Sequence, residues 1–136
     1  KVAKNLQLRT RIEYVYLTST KIEPKESGYL VLQDIKYIPI QNLNIYARYI
    51  FFSTDSYNSR IYQFENDVIG VMTNPALYGE GMRWYVLARY STKFGFNISL
   101  KYSELYKPNE RTLGSGDSEI QGNLDNRINF QIDFNF

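Results

Sequence analysis

Apolar and polar residues alternate without interruption through the segment Arg127–Phe136. Ile128, Phe130, Ile132, Phe134 and Phe136 fall on one side, and Arg127, Asn129, Gln131, Asp133 and Asn135 on the other. A period of two marks a β-strand with one apolar and one polar face. The same period recurs upstream. Gln7–Leu17 sets Leu8, Thr10, Ile12, Tyr14 and Tyr16 against Gln7, Arg9, Arg11 and Glu13. Tyr29–Ile38 sets Tyr29, Val31, Ile35 and Tyr37 against Asp34 and Lys36. Gln33 interrupts that apolar row, but the opposite phase would place two charges on it. Leu43–Phe52 sets Leu43, Ile45, Ala47, Tyr49 and Phe51 against Asn44, Tyr46 and Arg48. Met82–Tyr90 sets Met82, Trp84, Val86, Ala88 and Tyr90 against Arg83, Tyr85 and Arg89. Phe94–Tyr106 sets Phe94, Phe96, Ile98, Leu100 and Tyr102 against Asn97, Ser99, Lys101 and Ser103.

Polar connections rich in Gly, Pro, Asn and Ser separate these strands, and their lengths alternate. Thr18–Ser27, Ser53–Gly81 and Lys107–Asn123 are long, whereas Pro39–Asn42 and Ser91–Lys93 are short. The longest reads as an excursion with its own hairpin, Ile61–Glu65 returning around Val68–Met72. Long external loops alternating with short periplasmic turns are the pattern of outer-membrane barrels. A tilted strand of about 10 residues spans a bilayer's hydrocarbon core. The predicted fold is therefore all-β: an antiparallel, up-and-down transmembrane β-barrel, of which residues 1–136 supply the carboxyl-terminal portion with about six spanning strands. The sequence starts at Lys1 without an initiating Met or a signal-peptide core, so a processed product or the tail of a longer protein is expected. Because six strands would leave two open edges and single-chain bacterial barrels begin at eight, further strands are expected upstream. In this frame Tyr14, Tyr16, Tyr29, Tyr49, Phe51, Trp84, Tyr102 and Tyr106 gather at external strand ends. Tyr37, Tyr90, Phe94, Phe96, Phe134 and Phe136 gather at periplasmic ends, with Ile12, Ile35, Ile45, Val86, Ala88, Ile98, Leu100 and Ile128 between. Such sorting matches the aromatic girdles of a membrane interface. An edge strand in a soluble, lipocalin-like ligand-binding barrel is the alternative, but it gives no reason for sorting by height.

Composition narrows the chemistry. The formal net charge is +2, which argues for no particular polyelectrolyte partner. Absence of Cys excludes disulfides and thiol chemistry, and absence of His excludes imidazole bases and the commonest metal ligand. No catalysis and no cofactor are expected. Tyr supplies 13 residues and Phe 8, an aromatic load that suits interfacial girdles.

Two resemblances add to this reading. Arg127–Phe136 resembles the terminal strand of bacterial outer-membrane barrels, whose last aromatic residue and alternating hydrophobes the insertion machinery recognises. The resemblance makes Phe130, Ile132, Phe134 and Phe136 a membrane-assembly signal, so loss of Phe136 is expected to lower assembly yield. The segments Thr54–Tyr62, Glu65–Val68, Tyr78–Tyr85 and Gly114–Asn123 resemble the carboxyl-terminal barrel regions of a Bacteroidota outer-membrane family. Members of that family often carry an amino-terminal helix-hairpin-helix module, which would lie upstream of Lys1. These motifs sit in loops and carry no chemistry, and nothing in these residues supports nucleic-acid handling.

Candidate sites are few. Gly114-Ser-Gly-Asp-Ser-Glu119 lacks the ligand spacing of a calcium loop and reads as a turn-rich external loop. Glu65, Asp67 and Glu80 read as solvated loop charges rather than a carboxylate pair, with Asn66 and Asp67 suited to bonding loop backbone. The polar row is more informative. Arg9, Arg11, Lys36, Arg48, Arg83, Arg89, Lys101 and Arg127 face the lumen on these phases, against Glu13, Asp34 and Asp133. One expectation is a plugged interior in which these cations meet carboxylates. The other is a basic pore admitting anionic solutes or a macromolecule. Tyr14, Tyr16, Tyr29, Tyr37, Tyr49, Trp84, Tyr90 and Tyr102 are the expected lipid-interface aromatics. The expected function is a non-enzymatic structural or interaction subunit of the bacterial outer membrane. Its expected partners are the lipid bilayer, the missing upstream strands, the insertion machinery, and other surface proteins through residues 53–81 and 107–123.

Overall fold

Strict alternation becomes a ladder of long strands. A computed structural model describes residues 4–19 and 22–134. In chain order the strands are β1 (Leu6–Ser19), β2 (Ile22–Tyr37), β3 (Leu43–Thr54), β4 (Ile61–Tyr62), β5 (Ala76–Leu77), β6 (Glu80–Ser91), β7 (Phe96–Tyr106), β8 (Thr112–Leu113), β9 (Ile120–Gln121) and β10 (Leu124–Phe134). The described residues contain no α-helix. Six strands form one antiparallel sheet in the order β1-β2-β3-β6-β7-β10, an up-and-down meander. Its outer strands, β1 and β10, do not pair with each other, so the sheet is open.

The register carries one face across all six strands. Leu8, Ile35, Ala47, Val86, Tyr102 and Ile128 lie in one row, and Arg9, Asp34, Arg48, Tyr85, Ser103 and Arg127 in the next. Because side chains alternate, the two rows project from opposite faces. The apolar face stands open: Ile12 is 75% exposed, Ile128 71% and Phe130 64%. The core lies on the other face. There Leu30, Leu32, Ile50 and Phe52 pack with Ile61 and Leu77, and Val68 packs with Tyr85 and Leu87.

Of the expected excursion 53–81, Ser53, Thr54, Glu80 and Gly81 belong to β3 and β6, and residues 55–79 cover the sheet instead of projecting from its end. They run down the face that carries the cations, and their stem is the short β4–β5 ladder. The return strand differs from expectation as well. Ile61 pairs with Leu77 and Glu65 bridges to Thr73, so residues 68–72 belong to the tip.

Other boundaries shift for physical reasons. The expected loop at Thr18–Ser27 is largely strand, for β1 pairs with β2 out to Leu17–Glu26 and Ser19–Ile22, with a register shift between. Pro24 and Gly28 do not break β2: Gly28 pairs with Val15 and Thr54, and Pro24 falls at the shift in the β1 register and beyond the β3 pairing, where a strand tolerates a missing N–H. Phe94 falls in the turn before β7 and is 83% exposed, with Gly95 at φ 86. The strand expected from Arg127 starts at Leu124. Residues 107–123 carry a β8–β9 ladder and a 3-10 turn at Gly116–Ser118. Phe136 lies outside the described residues.

Gly81 marks the tightest approach. A Cβ there would lie 2.6 Å from the Tyr106 carbonyl oxygen and 2.8 Å from the Phe52 ring. Gly81→Val is expected to destabilise the sheet by about 1–3 kcal/mol, an overpacking cost read as a lower denaturation midpoint. An unchanged midpoint would show that β6 can move away from β7.

Candidate functional site

The tip of the covering segment, residues 63–75, sits on five of the six sheet strands, and charge holds it there. Glu65 is fully buried, and the Arg83 guanidinium grips it from β6: Nε donates to Oε1 at 2.5 Å and Nη2 to Oε2 at 2.9 Å. Lys101 of β7 places Nζ between two carboxylates, 3.2 Å from Glu65 Oε2 and 2.7 Å from Asp67 Oδ2. Thr73 donates its hydroxyl to Asp67, and the Val68 N–H donates to Asp67 Oδ1 at 2.8 Å. Arg89 donates to the Asp67 carbonyl. On β3, Arg48 bonds Asp34 at 2.5 Å and reaches the Phe64 carbonyl at 2.6 Å. The Asn66 N–H donates to the Tyr85 hydroxyl at 3.2 Å. Gln63 donates to Glu13 of β1 at 2.8 Å, and Gln131 of β10 donates to the Ile69 carbonyl at 2.8 Å.

Two cations stack against the Tyr85 ring, with Lys101 Nζ 4.7 Å and the Arg48 guanidinium 5.9 Å from its centroid. A buried ion pair seldom adds net stability over apolar packing of the same shape, because desolvating the charges offsets their attraction. It does make one arrangement specific, since any seat that separates these partners strands a buried charge.

Burial works on Asp67 in the opposite sense to its partners. Desolvation alone would raise its carboxyl. The hydrogen bonds from Lys101, Thr73 and Val68, with the Lys101 charge, outweigh burial and hold it below the usual carboxylate range. A depressed carboxyl contributes stability that is full above its unfolded value and lost as the pH falls through its folded one. Pepsin cleavage within residues 63–75 is therefore expected to rise as the pH drops below about 4, with a flatter profile for Asp67→Asn. Equal profiles would sink the assignment.

All eight basic residues singled out in the sequence share the covered face. Arg48, Arg83, Arg89 and Lys101 meet the covering segment. Arg9 pairs with Asp34 at 2.5 Å, Arg11 lies 4.0 Å from Glu13, Arg127 bonds Asp125 at 2.8 Å, and Lys36 stacks 5.5 Å from the Tyr46 ring. Glu65 and Asp67, expected as solvated loop charges, are instead buried and paired, because their segment folds onto the cationic face. Glu80 is exposed and accepts from Asn109 at 3.0 Å. Asp117 and Glu119 sit on an exposed turn, where the Glu119 N–H bonds the Gly116 carbonyl at 3.0 Å. No group of three acidic residues among those described could hold a metal.

The aromatics singled out lie on the opposite, open face. Tyr14, Tyr16, Tyr29, Tyr37, Tyr49 and Tyr90 are exposed, and Phe130, Ile132 and Phe134 continue the surface on β10. Trp84 and Tyr102 pack at 5.2 Å, and both donate to Glu104, a carboxylate on this face that the alternation argument passes over.

Sequence reasoning also missed the apolar patch under the covering segment. Its signal was present: Tyr29–Leu32 and Tyr49–Phe52 are continuous apolar runs, so the polar face of those strands also carries apolar side chains, Leu30, Leu32, Ile50 and Phe52, that need cover. A cleft of about 390 Å³ remains beside the tip, lined by Arg9, Arg11, Arg48, Gln63, Asn66 and Asn74. No family model, no curated protein and no solved structure matches this chain.

Proposed function

We propose that this chain forms part of the wall of a transmembrane β-barrel in a bacterial outer membrane, a non-enzymatic structural or interaction subunit whose interior its own residues 55–79 fill. One observation carries this reading. Large apolar side chains lie exposed across all six strands on one face, while the charged face is covered by the chain itself. A soluble ligand-binding barrel inverts this arrangement, with apolar residues inside and polar ones facing water. Exposed apolar surface of this extent marks contact with lipid or protein, and aromatics near the strand ends favour lipid. The resemblance to Bacteroidota barrel regions supports the same reading.

The open edges fit it too. Unpaired N–H and C=O groups along β1 and β10 find no partners in hydrocarbon, so further strands must pair there and close the wall. Residues 107–123 remain the loop surface for recognition by other surface proteins. Most cations on the covered face have carboxylate or carbonyl partners within the chain, which favours a filled interior over a permanently open basic pore.

Detergent-phase partition of the full-length protein tests the proposal. Recovery in detergent, with a folded form that migrates differently on gels before and after boiling, is the expected result. A protein that stays monomeric in buffer without detergent would be a soluble sheet protein instead.

A further inference from the structure

We propose that residues 63–75 are a displaceable plug, and that the passage they close admits anionic solutes. The proposal rests on the barrel reading above and adds a second state to it. The covering segment is held in two different ways along its length. Its stem is anchored by apolar packing: Ile61 and Leu77 are almost fully buried among Leu30, Leu32, Ile50 and Phe52. Its tip is anchored by polar groups, for among the tip's hydrophobics Val68 alone is buried, while Phe64, Ile69, Val71 and Met72 are exposed. Parting apolar surfaces exposes both to water at a full penalty, whereas parted ions regain their hydration. The tip is thus the section that can lift while the stem stays.

The seat is also incomplete. Arg89 Nε and Ser99 Oγ lie buried beneath the tip's far end without a hydrogen-bond partner. Polar atoms left unpaired in a closed state lower the cost of leaving it.

Lifting the tip changes the charge of what it covers. Glu65 and Asp67 would leave with it, taking the carboxylates that pair with Arg83 and Lys101, and Arg89 would lose the Asp67 carbonyl. Arg48 would keep Asp34 and lose only the Phe64 carbonyl. The bared strip on β3, β6 and β7 is then cationic, and a cationic lining selects anions.

The test uses the full-length protein, with any Cys outside these 136 residues replaced by Ser and Val68→Cys as a thiol reporter. This chain has no Cys of its own, and Val68 is 5% exposed in the closed state. Maleimide labelling is followed in detergent, and conductance in planar bilayers under a KCl gradient. Combining Glu65→Gln with Asp67→Asn is expected to speed labelling by about tenfold or more. The same pair should turn a closed protein into a conducting one whose reversal potential has the sign for chloride. Combining Arg83→Gln with Lys101→Gln breaks the same contacts from the wall side. It should speed labelling equally and conduct with a weaker anion preference, since Arg89 alone of the three bared cations remains.

Unchanged labelling in both folded variants would overturn the displaceable plug. Faster labelling with no current, or with cation preference, would overturn the anion passage. Failure of the full-length protein to enter bilayers, with labelling still accelerated, would refute the barrel reading and leave the latch standing.

Discussion

Glu65→Ala is expected to destabilise the closed protein by about 3–5 kcal/mol, the cost of leaving buried cations without their counter-charge. Arg83 loses both of its bonds to Glu65, and Lys101 keeps only Asp67. Removing a cation as well should relieve part of that penalty. Arg83→Ala added to Glu65→Ala is therefore expected to cost less than the sum of the two single changes, with a coupling of about 0.5–3 kcal/mol. Denaturant unfolding of the four proteins measures the coupling. Strict additivity would mean that the pair is solvated in the folded state and that residues 63–75 are not seated as described.

Ile128→Arg is expected to cost about 2–4 kcal/mol of folded stability in a bilayer, the value for a cation near the midplane of a barrel's lipid face. Ile128 lies close to the middle of β10, in a row with Leu8, Ile35 and Val86, and is 71% exposed. Ile132 points the same way but lies nearer the strand end, next to the stacked rings of Phe96 and Phe134, 4.5 Å apart. Ile132→Arg should accordingly cost less, falling toward about 0–1 kcal/mol as the interface is approached. Asn129→Arg, on the covered face, should be mild. Refolding equilibria in lipid vesicles give all three values. Equal costs for Ile128→Arg and Asn129→Arg would reverse the assignment of faces to lipid and interior.

Which residues share a face was legible from alternation alone, because side-chain direction along a strand is a local property of parity. Six sheet strands and their sequential pairing follow from six such runs joined by turn-rich connections, as in Leu43–Phe52 and Met82–Tyr90. Strand ends were less legible. Pro24 and Gly28 look like breakers, yet whether a Pro breaks a strand depends on whether that edge has a partner, and this is a property of the sheet.

The interior was decided by tertiary structure. The eight cations and the Glu65-Asn66-Asp67 run are both plain in the sequence, but the cations by themselves leave a plugged interior or a basic pore open, and the acidic run by itself reads as solvated. What joins them is a loop closing onto a sheet face, with Glu65 meeting Lys101 across 36 positions. Nothing local encodes that contact. It forms because Ile61 and Leu77 cover the apolar patch of Leu30, Leu32, Ile50 and Phe52, which lays the tip over Arg83 and Lys101. Once water is excluded there, opposite charges must pair, since an isolated buried charge costs more than the fold could bear.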